Sequence, residues 1–232
     1  MIVKEKIKNI YRRCINRTDL LSRVICKVIN RYSKNKVIVE GNANRIEIHG
    51  WFARSSITIK GNHNLVVIGG NLSDSKILIE GSNAQITTGD GCNIFESSFA
   101  AIDDGSSISI GKNVGIQHNT RFVSMEGHRI ILGDNCMISY DIEFRNSDSH
   151  SILVTDESGK KIRSNQALDV IIGNNVWISQ QALILKGTAL GDGCIVGARS
   201  LVHKKSFGNN ELIVGGPAKS VATNIEWLLE RI

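Results

Sequence analysis

Aliphatic residues recur at every sixth position over Ile172, Ile178, Ile184, Leu190, Val196 and Val202. Four residues after each stands a small or medium side chain: Val176, Ala182, Thr188, Cys194, Ser200 and Ser206. A helix repeats its apolar positions at three and four, and an amphipathic strand at two. A period of six fits neither. It fits a solenoid in which each hexad is one short strand and one corner, with its first residue inward. Three hexads close a triangular coil, the hexapeptide type of parallel β-helix. The aliphatic residue fills the axis and the small one leaves the chain room to turn. Gly173, Gly191 and Gly197 directly follow inward residues, where tight corners favour glycine.

Upstream the pattern is looser. "VIVEGNANRIEI", "SITIKGNHNLVVI" and "KILIEGSNAQIT" alternate apolar residues before a turn, and Gly41, Gly61 and Gly81 are twenty residues apart. A regular coil is eighteen residues, so these read as early coils with a two-residue bulge or loop. Clear hexads return at Ile110, Ile116 and Phe122, and again at Leu132, Ile138 and Phe144. They then stop over about 145–169, a polar, aperiodic stretch that predicts a surface loop leaving the solenoid. Two flanking segments change period. Residues 1–36 keep three-and-four spacing (Ile7, Ile10, Tyr11, Cys14; Leu21, Val24, Ile25, Val28) and predict two amphipathic helices broken at "NRTD". Residues 223–232, "TNIEWLLERI", predict a short helix capping the open end. The solenoid domain itself runs over 37–222.

Composition agrees. Aromatics are 5% of 232 residues, with one proline, which suits a thin interior with room for Ile, Val and Leu but little for rings. No apolar run approaches the ~20 residues that cross a bilayer, and the N-terminus lacks a signal-peptide apolar block. The expected location is the cytoplasm. The five cysteines, Cys14, Cys26, Cys92, Cys136 and Cys194, form no C-x-x-C pair and read as structural thiols. The net charge of +6 is uneven: residues 1–36 carry eleven Lys/Arg against two acids. The apolar stripes of such an arm need a surface to cover, first of all the solenoid or a neighbouring subunit, and its charge offers contact with an acidic polymer or the inner-membrane surface. No nucleic acid is expected.

The loop holds "FRNSDSH", ending at His150. An imidazole titrates near neutrality and takes a proton from a hydroxyl or amine, so His150 is a candidate general base. Read from composition alone, a solvated loop histidine is the stronger reading. Residues 130–222 resemble the hexapeptide-repeat acetyltransferases, in particular the sugar O-acetyltransferase branch. "RNSDSH", "VIIGNNVWI" and "ILKGTALGDGCIVGARSLVHKKSF…VGGPAKSV" carry the resemblance in order and spacing. With the asparagine-rich early coils, the chain is most similar to capsular polysialic acid O-acetyltransferases.

That resemblance implies an all-β solenoid wound as a left-handed parallel β-helix, an exception to the right-handed crossover rule. It implies a homotrimer with sites in clefts between neighbours, acetyl-CoA as acetyl donor, a saccharide acceptor and no metal. It makes His150 the base, with Asp148 a candidate to orient it, and places Trp177 where donor and acceptor meet. Ser179 would lie beside the pantetheine path and Ala198 would touch CoA through its backbone. Lys204, Lys205 and Lys219 would meet phosphates, and Pro217 the adenine end. Each has a plainer reading, the lysines as solvated corners and Asp148 as a turn cap. Many relatives carry an acid after the glycine of this loop. Here Gly159-Lys160 stands instead, which leaves the orienting group open among Asp148, Asp156, Glu157 and a backbone carbonyl.

Other functions remain in view. The same scaffold serves N-acetylation of a nucleotide-linked amino sugar. A zinc enzyme of carbonic anhydrase type needs three histidines, two of them close in sequence, and the six here show no H-x4-H pair. A solenoid that binds ice or glycans without catalysis would not need the loop, Trp177 and "GGPAK" together.

Overall fold

A computed structural model describes residues 33–230. The two N-terminal helices expected over 1–36 therefore fall almost wholly outside the described residues. From Lys36 onward the chain is a left-handed parallel β-helix with three flat faces. Face 1 stacks eight strands from Lys36–Glu40 to Leu201–Val202. Face 2 stacks eight from Arg45–Ile48 to Ser206–Phe207. Face 3 stacks nine, from Phe52–Ala53 to Glu211–Gly215 and Ala218–Thr223. All pairings within the faces are parallel except the last, where Ala218–Thr223 folds back on Glu211–Gly215.

The register gives the coil lengths. On face 1 Lys36 pairs Ser56 and Ser56 pairs Lys76, steps of twenty. Ser98, Arg121 and Glu143 follow at slightly longer steps, and Leu183 to Leu201 is the eighteen-residue coil of the hexads. Between Glu143 and Leu183 the step is forty, because the loop insertion leaves between faces 1 and 2 and returns. Every aliphatic residue of the six-residue series is buried, and Ile178, Ile184, Val196 and Val202 are fully so. The inward row thus removes apolar surface from water at each turn, about 1.5–3 kcal/mol for each full side chain.

The interior holds more rings than expected. Phe99, Phe122 and Phe144 are buried on successive coils and stack at 4.9 and 4.4 Å, within 6° of parallel. Identical register on a parallel stack puts like side chains over like, so one wide column accommodates rings that a single coil would not. At the corner between faces 2 and 3 the coils approach closely: a Cβ on Gly133 would lie 2.6 Å from the Gly173 carbonyl. Cys92, Cys136 and Cys194 are buried beside this corner. The Cys136 thiol contacts the Gly173 carbonyl at 3.2 Å, and burial pushes it up to about 11. These thiols are packing groups, as the sequence indicated.

The C-terminal segment corrects an expectation. Residues 224–230 are not helical. The Ile225 amide donates to the Asn210 carbonyl at 3.1 Å, and Trp227 Nε1 donates to the Asn175 carbonyl at 2.7 Å. Asn210 and Asn175 belong to the corner between faces 2 and 3, two coils apart. The segment therefore runs extended back along the stack, because corner carbonyls and Trp177 offer it more than a short isolated helix gains from itself.

Candidate active site

The loop leaves face 1 after Glu143–Arg145 and rejoins face 2 at Val170–Ile172. Its outer half is an antiparallel hairpin, Leu153–Thr155 with Lys161–Arg163, which the aperiodic sequence did not announce. Asp156 caps the hairpin turn, accepting from the Ser158 amide and hydroxyl and the Lys160 amide at 2.6–2.9 Å. It is thereby committed to the turn rather than to His150.

The inner half is fixed by side chains from three coils. Glu126 receives both guanidinium nitrogens of Arg163 at 2.7 and 2.8 Å, and the Ser147 hydroxyl at 2.5 Å. The hydrogen bonds from Arg163 and Ser147 hold the Glu126 carboxyl down at about 2. Asp169 closes the other end, accepting from the Arg129 guanidinium at 2.7 and 2.9 Å with His128 Nδ1 at 3.1 Å.

Asn165 lies at the centre. Its amide donates to the His150 carbonyl at 2.7 Å and to Asp148 Oδ2 at 2.9 Å, and its own Oδ1 accepts from the Ile152 amide at 2.7 Å. Below it is Lys186, a lysine only 3% exposed. Its ammonium donates to Asp148 Oδ2 and to the Asn165 carbonyl, the latter at 3.1 Å. A buried cation needs such partners, since leaving it unpaired costs several kcal/mol. Partial burial raises the Asp148 pKa, but hydrogen bonds from Lys186 and Asn165 outweigh it and hold the carboxyl below its ordinary value. His203, one coil on, is held down by burial and by the Lys204 and Lys186 charges. The His150 side chain is exposed and its ring has no hydrogen-bond partner among the described residues.

The residues singled out in the sequence fall into three groups. His150, Asp148 and the exposed Lys204 share the corner between faces 1 and 2. Trp177 is half-buried and points outward on face 3, paired between Met137 and Ile195. Ser179 and the exposed Ala198 follow it at the corner between faces 3 and 1. Lys205 reaches the closing hairpin, donating to the Ala218 carbonyl at 2.9 Å, between exposed Pro217 and Lys219. On a triangular prism the corner between faces 1 and 2 lies opposite face 3. One copy therefore does not bring His150 and Trp177 into a common cleft. Lys186 and Asn165 were missed in the sequence, where their only signal was a lysine and an asparagine in generic polar surroundings.

The bacterial transferase hexapeptide (six repeats) family matches residues 169–204. The match is confined to those thirty-six residues, the regular hexads that follow the loop. It is similar to a chloramphenicol acetyltransferase of Morganella morganii, 45% identical over 56 residues, 24% of this chain and 26% of that protein. It is also similar to the putative lipopolysaccharide biosynthesis O-acetyl transferase WbbJ of Escherichia coli K12, 38% identical over 60 residues, 26% of this chain and 30% of that protein. The chain thus spans under a third of the length of these relatives. The solved structure of the polySia specific acetyltransferase NeuO matches with a TM-score of 0.75 and 27% identity, over 84% of this chain and 89% of that one. That of the polysialic acid O-acetyltransferase OatWY matches at 0.51 and 28%, over 85% and 89%. In the hexapeptide chain described here, the matched repeats are the coils that carry Trp177, Lys186 and Ala198.

Proposed function

We propose that the protein is an acetyl-CoA-dependent O-acetyltransferase that modifies a saccharide hydroxyl, on a capsular or other cell-surface polysaccharide, with His150 as general base. The observation that carries this reading is the loop. It presents an imidazole with no partner among the described residues, while the backbone beneath it is tied to Asn165, and through Asn165 and Asp148 to buried Lys186. An otherwise unoccupied base on a rigid mount is what proton transfer to an incoming acceptor requires. The similarity to NeuO and OatWY, over more than four-fifths of the chain, supports the reaction class and a glycan acceptor.

In this reading the imidazole takes the proton of the acceptor hydroxyl as its oxygen attacks the thioester carbonyl. A backbone N–H receives the developing oxyanion, an interaction often worth about 3 kcal/mol. The C–S bond then breaks, and the proton on the imidazolium passes to the departing thiolate. Lys204, Lys205 and Lys219 supply positive charge for the donor's phosphates, and Trp177 forms the wall beside the thioester. Because His150 and Trp177 lie on opposite sides of one prism, the complete site lies between neighbouring copies, and three copies about a closed axis make three such sites.

Transfer of labelled acetyl from acetyl-CoA to a panel of bacterial polysaccharides and nucleotide sugars tests the proposal. His150→Ala should lower turnover by ~10²–10⁴ while acetyl-CoA affinity stays within a few-fold. A variant retaining more than about a tenth of wild-type turnover would remove His150 from the role of base.

A further inference from the structure

The C-terminal segment does something that a cap on the solenoid would not. It runs back along the corner between faces 2 and 3, anchored at the Asn210 carbonyl by Ile225 and at the Asn175 carbonyl by Trp227 Nε1. That second anchor places the Trp227 ring beside Trp177, with centroids 6.2 Å apart and planes tilted by 49°. This is the separation and tilt at which two indoles attract each other through edge and face. Both rings remain only half-buried.

The side from which Trp227 approaches matters. Asn175 precedes Trp177 and belongs to the corner between faces 2 and 3. Ser179 and Ala198, on the proposed donor path, belong to the opposite corner, between faces 3 and 1. Trp227 therefore stands behind Trp177 as seen from the donor. It restricts the indole's rotation on one flank and leaves the other flank open. An outward tryptophan on a two-residue strand has little else to hold it: its strand neighbours are Met137, a flexible side chain, and Ile195.

We propose that Trp227 is a positioning residue of the acyl-donor site, holding the Trp177 indole in the orientation that receives the thioester end of acetyl-CoA. This rests on the reading of Trp177 as a donor-site residue. The benefit is pre-organisation. A ring already fixed loses less rotational freedom when the donor binds, so the donor binds more tightly for the same contacts.

The test uses full-length protein in a Trp51→Phe background, which leaves Trp177 and Trp227 as the only indoles. Acetyl-CoA binding is followed by indole fluorescence and by calorimetry, alongside steady-state kinetics and the mass of the assembly. Trp227→Ala should raise the acetyl-CoA Kd and KM by about tenfold, as expected when one aromatic contact and its ordering are lost. Turnover at saturating donor should stay within about threefold, because uniform donor binding is what is removed. Trp227→Phe, which keeps a ring but not the anchor to Asn175, should recover part of the affinity. An unchanged Kd in Trp227→Ala would overturn the proposal. So would an affinity loss that tracks a fall in Tm or a change of assembly and is not recovered by phenylalanine, because that assigns Trp227 to stability alone. If the Trp51→Phe parent itself binds no acetyl-CoA, the transferase reading has failed, a result separate from failure in the Trp227 variant only.

Discussion

Asp148 shows how a residue's role follows from its partners. In the sequence it stands two residues before the proposed base and invites the role of orienting acid. In the structure its Oδ2 is engaged by Lys186 and Asn165, so it serves as the counter-ion of a buried lysine. His150 and Trp177 could be singled out as candidates in the sequence because a local motif surrounds each. Lys186 and Asn165 could not, because their meaning lies in contacts 38 and 15–17 residues away in the chain. Lys186→Met should therefore lower kcat by roughly tenfold to a hundredfold, the order expected when a catalytic group shifts by about an ångström. Substrate KM values should change far less. Steady-state kinetics with a melting curve separates the outcomes: a lower Tm with unaltered kcat would leave Lys186 a structural residue only.

At the scale of elements, the coils were readable because a six-residue period has one physical solution. Each inward aliphatic must meet its counterpart on the next coil. The hairpin and the C-terminal segment lacked such a period. The hairpin is short, and a two-stranded hairpin is marginal alone, so clamps at its base rather than its own pattern define it. The segment around Trp227 has helical spacing, but corner carbonyls and a neighbouring indole compete for it. The Glu126–Arg163 pair makes the hairpin clamp testable by pH. The folded-state pKa of Glu126 is depressed from 4.5 to about 2. Its contribution to stability is thus fully present above about 4.5 and is lost as pH falls toward 2. An NMR titration of the Glu126 carboxyl should show a midpoint well below 4.5, rising in Arg163→Ala. A wild-type midpoint at 4.5 would show that the clamp is not formed in solution.

For the whole molecule, the central feature is separation. The proposed base stands at the corner between faces 1 and 2, while Trp177, Ser179 and Ala198 occupy face 3 and the corner beyond it. Sequence reading identified both groups but could not show that they face away from each other, since that depends on where each falls around the coil. The hairpin region also exposes apolar side chains, Ile152, Leu153, Val154 and Ile162, which the proposed assembly would cover with a second copy. The most direct test is complementation. His150→Ala and Trp177→Ala chains, each nearly inactive alone, are unfolded together, refolded and isolated as mixed assemblies of verified composition. Acetyl transfer from labelled acetyl-CoA to the saccharide acceptor is then measured. The account predicts that mixed assemblies regain a substantial fraction of wild-type activity, because some clefts pair an intact His150 from one chain with an intact Trp177 from its neighbour. Verified mixed assemblies that remain as inactive as either parent would contradict it.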